Sequence, residues 1–252
     1  MKIAGSTVIV FGGSSGLGAA SQELLRTQGA NVLVADLQRP TGGEQTGSEI
    51  AFVTTDVTDE SSVEAALAEA HVRFGTVRAV VTCAGIGHGE RIIGPNNRHR
   101  LDSFQRVIDI NLVGTFNVLR LAAEVMQRNE PDDQGERGVI VMTSSIAAFE
   151  GQIGQAAYSA SKAGVAALAL PAARELGQFG IRAVAIAPGV FETPMMQQVP
   201  EPYRQSLESQ TPFPRRFGRP AEFAALVAHV LENSMLNGEV IRLDGGLRMS
   251  AR

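Results

Sequence analysis

Cysteine is almost absent from this chain. Cys83 stands alone among 252 residues, so no disulfide can form within the chain, and the composition fits a reducing compartment. No apolar run reaches the length a helix needs to span a bilayer. A basic excess is missing as well. Lys and Arg number 22 against 26 Asp and Glu, giving a net charge of −4 and a pI near 5.6. General nucleic-acid binders carry a basic footprint, so nucleic acid is not an expected partner. The four histidines (His71, His88, His99, His229) show no metal-ligand spacing, and no metal site is expected. Repeats, low-complexity tracts and linkers are missing too, so residues 1–252 read as one domain. The opening "MKIAGSTVIVFGG" enters an apparent strand at once and leaves no room for a cleavable targeting segment. The expected location is the cytoplasm, with an organelle matrix left open.

What is present is an alternation. Short β-branched runs occur at 7–12, 31–36, 50–57, 77–85, 138–144, 181–189 and 239–245. Their hydrophobicity is continuous, as in strands buried on both faces of a parallel sheet. Helical patterns lie between them at 16–28, 60–74, 102–128, 155–178 and 220–232, with Asp59 and Asp102 as expected N-caps and Gly75 as an expected C-cap. This order predicts an α/β, doubly wound parallel sheet. Pro171 lies inside one helical pattern and should kink it or cost a hydrogen bond. Three segments break the rhythm: 88–101, 129–137 and the proline-rich stretch 188–219. A long connection in a compact domain is more often functional than idle, and here it follows a strand's C-terminal edge, where ligands bind.

"VIVFGGSSGLGAA" sets Gly12, Gly16 and Gly18 between the first strand and the first helix. Such a turn brings backbone N–H groups at a helix N-terminus close to a pyrophosphate. The second strand ends at Asp36, where a carboxylate can accept hydrogen bonds from both hydroxyls of an adenosine ribose and repels a 2′-phosphate. Ser14 and Ser15 are not basic, which favours NAD over NADP; Arg39, three residues beyond Asp36, is the one nearby cation that could reverse this preference.

Tyrosine is scarce, yet Tyr158 stands four residues before Lys162 in "QAAYSASKAG". Residues so spaced share a helix face, with Cβ atoms about 5–6 Å apart. A phenol titrates near pH ~10, and an adjacent ammonium favours the phenolate. Ser145 lies upstream, at the end of the fifth strand run, and could hydrogen-bond the same substrate oxygen. Oxidation of an alcohol needs such a group, because the hydroxyl proton must leave as hydride leaves carbon.

The combination resembles the short-chain dehydrogenase/reductase family. Gly12, Gly16 and Gly18 resemble its cofactor loop, and Cys83–Ala84–Gly85 its "NAG" element. Asn111 matches its helix-four asparagine, and Ser145, Tyr158 and Lys162 match its catalytic residues. Pro188, Gly189 and Thr193 match its "PG-x-x-x-T" segment. Phe11 and Thr82 depart from the family pattern, which places a Thr and an Asn there and puts local loop stability in question. The resemblance implies a Rossmann fold of seven strands in the order 3-2-1-4-5-6-7 and a homotetramer joined through helices four and five and through the C-terminal region. It implies cofactor contacts from Gly12, Ser14, Ser15, Gly16, Leu17, Gly18, Asp36, Asp56, Val57, Cys83, Ala84, Gly85, Tyr158, Lys162, Pro188, Gly189, Phe191 and Thr193. Asp56 and Val57 would flank the adenine, Thr193 would meet the nicotinamide carboxamide, and Asn111 would anchor a water linking Lys162 to solvent.

Longer stretches, among them "FQRVIDINLVGTFNVLRLAAEVM" and "NGEVIRLDGGLRM", resemble one branch of the family, the short-chain 3-hydroxyacyl-CoA dehydrogenases. This implies NAD-dependent, reversible oxidation of (S)-3-hydroxyacyl-CoA, with Ser145, Gln155 and Tyr158 facing the substrate and hydroxysteroids within its range. A lid at about 190–213 carries Val190, Phe191, Met195, Met196, Val199 and Phe213, an apolar wall suited to acyl chains and equally suited to packing on the core. A hydroxysteroid or other secondary-alcohol dehydrogenase, a 3-ketoacyl-carrier-protein reductase and a non-catalytic dinucleotide sensor are the alternatives.

Overall fold

The first strand shows why the sheet forms. Every residue of β1 (Thr7–Phe11) is buried, and β-branched side chains make up most of it. In the computed structural model, which describes residues 1–40, 51–95, 97–197 and 201–251, β1 pairs in parallel with β2 (Asn31–Asp36) and β4 (Val77–Thr82). β3 (Ala51–Thr54), β5 (Gly138–Thr143), β6 (Ile181–Pro188) and β7 (Val240–Leu243) complete a seven-stranded sheet ordered β3-β2-β1-β4-β5-β6-β7.

Alternate strand residues feed two apolar layers. Ile9, Leu33, Val80 and Ile140 pack with α2 (Glu60–Phe74), with α4 (Gly114–Met126) and with α5 (Ala156–Leu176). Val8, Val10, Val81 and Val141 pack with α1 (Gly16–Thr27) and α8 (Pro220–Glu232). The sheet therefore lies between two helical layers, with the C-terminal ends of β1 and β4 side by side.

Asp59 caps α2 through its side chain, 2.9 Å from the Ser61 N–H, and Gly75 closes it in a positive-φ conformation. The pattern at 102–128 is not one helix. It divides into α3 (Leu101–Ile108), a π-helical turn (Asp109–Val113) and α4. Asp102 is not an N-cap: α3 begins one residue before it, and its carboxylate accepts from its own neighbour Ser103 and from the Arg100 guanidinium. α5 runs unbroken through Pro171. Ala167 and Pro171 are both exposed, so solvent can meet the carbonyl that proline leaves unpaired.

Except for β2, the strand runs end earlier than their hydrophobicity suggests. After Thr82 the chain peels from the sheet, and the N–H groups of Cys83 and Ala84 both donate to the Phe11 carbonyl, at 2.7 and 3.0 Å. Phe11 is itself fully buried in the core, whereas the buried Thr82 hydroxyl has no partner among the described residues. The connection after β6 holds two short helices that its prolines conceal, α6 (Pro194–Gln197) and α7 (Glu201–Gln210). Residues 198–200 of the expected lid, Val199 among them, lie outside the described residues. No helix among those described is long and apolar enough to cross a membrane.

Candidate active site

A cleft of about 1040 Å³ opens along the C-terminal edges of β1, β2, β4, β5 and β6. Its floor at one end is the first βα turn. Gly12 holds φ +76°, and a Cβ there would sit 2.3 Å from the Ala84 backbone nitrogen. One on Gly18 would sit 2.1 Å from the Gly12 carbonyl oxygen. These glycines thus let protein backbone meet protein backbone, which seats the start of α1 against the sheet. Ser15, Gly16, Leu17 and Gly18 line the cleft there. Ser15 caps α1 without a side-chain hydrogen bond, and the first turn has no acidic residue. The N–H groups at this helix end, where the dipole is positive, are therefore suited to an anionic ligand.

Asp36 lines the cleft beside this turn. Its carboxylate accepts from the N–H groups of Ser14, at 3.0 Å, and Gln38, at 3.4 Å. Ser14 does not line the cleft; its hydroxyl donates to the Gln38 carbonyl at 2.6 Å, so it braces Asp36. Arg39 does not line the cleft, and its guanidinium lies 5.1 Å from the Phe52 ring centroid. Asp56 and Val57 continue the wall. Asp56 is turned by the Thr58 N–H and hydroxyl, and Asn117 holds the Val57 carbonyl at 2.9 Å. Cys83, Ala84 and Gly85 line the cleft after β4, and Pro188, Gly189, Phe191 and Thr193 line it at and beyond the end of β6. This donor set fits a dinucleotide: open helix-terminal amides for phosphate, a carboxylate for hydroxyls and apolar flanks for rings.

Ser145, Gln155, Tyr158 and Lys162 line the other end. Lys162 is buried and donates to the Thr143 carbonyl at 2.9 Å, with its ammonium 5.9 Å from the Tyr158 ring centroid. Burial lowers the Lys162 pKa to about 8. Burial raises the Tyr158 phenol above its usual value, opposed by a hydrogen bond with Ser145. The sequence-based expectation that the ammonium pulls the phenol down does not describe this form. The lysine turns to a strand carbonyl and is itself pushed towards neutrality. Cys83 rises to about 11 through burial, so its thiol stays protonated near neutral pH.

Asn111 sits behind the wall, fully buried in the π-helical turn. Its Oδ1 accepts from Ile86 N–H at 2.8 Å, and its Nδ2 donates to the Ile86 carbonyl at 3.0 Å and to Ser161 Oγ at 3.1 Å. A Cβ on Gly85 would come within 3.1 Å of Asn111 Oδ1 and 3.5 Å of Lys162 Nζ, so the amide and the ammonium flank one point. Extra residues in a helix often mark functional sites, and this turn carries the asparagine.

The cleft also takes in residues that sequence reasoning missed: His88, Gln152, Leu207 and Met249. His88 could have been suspected, because it follows β4 at the ligand-binding edge. Nothing local marks Met249.

The sequence profile described as "short chain dehydrogenase" matches residues 6–204. The 3-hydroxyacyl-CoA dehydrogenase type-2 of Drosophila melanogaster is 53% identical over 246 residues, covering 96% of this chain and 96% of that protein. Its namesake in Bos taurus is 51% identical over 253 residues, covering 98% and 97%. The crystal structure of 3-hydroxyacyl-CoA dehydrogenase type-2 from Mycobacterium avium superposes with a TM-score of 0.93 at 41% identity, covering all of both chains. Site geometry, sheet order and these similarities agree: the chain belongs to the short-chain dehydrogenase family.

Proposed function

We propose that this protein is an NAD-linked dehydrogenase that interconverts (S)-3-hydroxyacyl-CoA and 3-ketoacyl-CoA. The observation that carries this reading is the half-identity, across nearly the whole chain, to proteins named 3-hydroxyacyl-CoA dehydrogenase type-2. Bound NAD supplies the hydride acceptor for alcohol oxidation and, once reduced, the hydride donor for the reverse. The chain's residues supply position and the proton path. The α1 amides hold the pyrophosphate, Asp36 the adenosine ribose, Asp56 and Val57 the adenine, and Thr193 the carboxamide. Among the described residues, the cleft wall beside Asp36 carries no cation to welcome a 2′-phosphate, and the Arg39 guanidinium lies over the Phe52 ring.

Ser145 and Tyr158 meet the substrate oxygen. Tyr158 takes the alcohol proton as the C–H hydride departs, and it returns that proton in ketone reduction. Lys162 passes charge and proton between the phenol and a water held at Asn111, around Gly85. Gln155 faces the acyl portion from the start of α5. The assembly we propose is a homotetramer.

The test is steady-state reduction of acetoacetyl-CoA, a keto-steroid and a simple free ketone by NADH and NADPH. Acetoacetyl-CoA with NADH should give a kcat/KM at least about tenfold above every other pair, equivalent to ~1.4 kcal/mol in transition-state binding. Equal rates with NADPH would remove Asp36 as the selector. A faster free ketone or steroid would replace the acyl-CoA assignment.

A further inference from the structure

Most of the cleft wall comes from the ends of strands and the loops and helices that follow them, and one part comes from the end of the chain. The C-terminal segment 244–251 passes back over the loop between β5 and α5 and brings Met249 to the cleft. The segment is tied down along its length. Arg242, on β7, forms a two-pronged pair with Glu150 at 2.8 and 3.1 Å, bonds Asp244 at 2.7 Å and holds the Leu247 carbonyl at 3.1 Å. Leu247 is buried. Glu150 accepts from the Met249 N–H at 3.3 Å, Gln152 donates to the Ser250 carbonyl at 3.2 Å, and Ile153 N–H to the Ala251 carbonyl at 3.0 Å. Bidentate guanidinium–carboxylate pairs fix orientation as well as distance.

The tie reaches the site by a second route. Gln152 is buried, and its amide oxygen accepts from Gln155 at 3.3 Å, while the Gln155 oxygen accepts from the Gln152 N–H at 3.3 Å. Both glutamines line the same cleft as Ser145 and Tyr158. A half-buried methionine at this place is apolar, unbranched and deformable, a suitable stop for a chain of variable length.

We propose that Met249 is a specificity-determining residue for the acyl part of the substrate, and that Glu150 and Arg242 are positioning residues that hold it in the cleft wall. The inference rests on the dehydrogenase reading above. Met249 limits the room beyond Gln152 and Gln155; the ion pair keeps that limit in place.

The experiment compares the wild type with Met249→Ala, Met249→Phe and Glu150→Gln on a graded series of 3-ketoacyl-CoA esters with NADH. Met249→Ala should raise kcat/KM for a long chain relative to acetoacetyl-CoA by roughly tenfold, and Met249→Phe should lower that ratio by a similar factor, the range apolar pockets command. Glu150→Gln should raise KM for the ester by about fivefold while KM for NADH stays within about twofold, a split that a general loss of structure does not produce. A length ratio unchanged in both Met249 variants overturns the proposal. If the wild type reduces free ketones and no ester, the acyl-CoA reading falls instead. The same variants are then ranked on ketones of graded size, where an unchanged ratio again decides against Met249.

Discussion

Tyr158 and Lys162 share a helix face, but they do not share one electrostatic role. The lysine is buried and titrates at about 8, while an unfolded lysine titrates near 10.5. Between those values the unfolded chain binds more protons than the folded one, so stability rises with pH across that window, and the full cost of the buried charge is present below it. Lys162→Met should therefore leave the melting temperature at pH 7 equal to or above that of wild type. Its advantage should shrink as pH climbs through the window, and turnover should fall by at least about a hundredfold. A melt several degrees lower at pH 7 would show that the Thr143 hydrogen bond outweighs desolvation. Tyr158→Phe should remove turnover and leave NADH binding, read by fluorescence, within about twofold. Near-normal activity would end its assignment as the proton-transfer group. Both residues were legible in sequence because four residues span one helical turn. The phenol's raised pKa was not, because desolvation depends on what packs over the site.

Helix ends and interruptions separate what local sequence encodes from what packing imposes. Asp59 and Asp102 look alike as caps, yet only Asp59 stands at an N-cap; Asp102 lies inside α3 and takes just the N–H of its own neighbour Ser103. Asp59→Ala should lower the melting temperature by roughly 2–4 °C, and Asp102→Ala should leave it almost unchanged. Equal shifts would contradict this assignment of the two helix starts. The π-helical turn at Asp109–Val113 divides a stretch whose apolar pattern reads as one continuous helix. It places Asn111 against the Ile86 backbone, a contact with the strand-four loop that no periodicity within 102–128 contains. The glycine loop was legible as a turn. Its close approach to Ala84 was not, because that partner belongs to the loop after another strand.

For the molecule as a whole, the proposed tetramer makes a distinct prediction. Val113 in the π-helical turn, Phe116 on α4 and Leu170 on α5 are each about half-exposed, apolar side chains that assembly would cover. Phe116→Asp should shift the protein from tetramer to smaller species in sedimentation velocity. A tetramer of unchanged stability would exclude this face as an interface. The segment over the cleft belongs to the same scale: Met249 lines the cleft with Gln152 only because the sheet brings β7 beside β6, which pairs with β5.

The sequence by itself determined the alternation of buried strands and helices, the glycine-rich turn with Asp36, and Ser145, Tyr158 and Lys162 within one strand-to-helix passage. These depend on spacing of a few residues, which chain geometry converts directly into proximity. Only the tertiary structure decided that Ser14 serves Asp36, that Arg39 turns to Phe52, that Lys162 anchors to a strand carbonyl and that the C-terminal segment walls the cleft. Each of those contacts is chosen by burial and by hydrogen-bond partners brought together through sheet order. No local pattern carries that information.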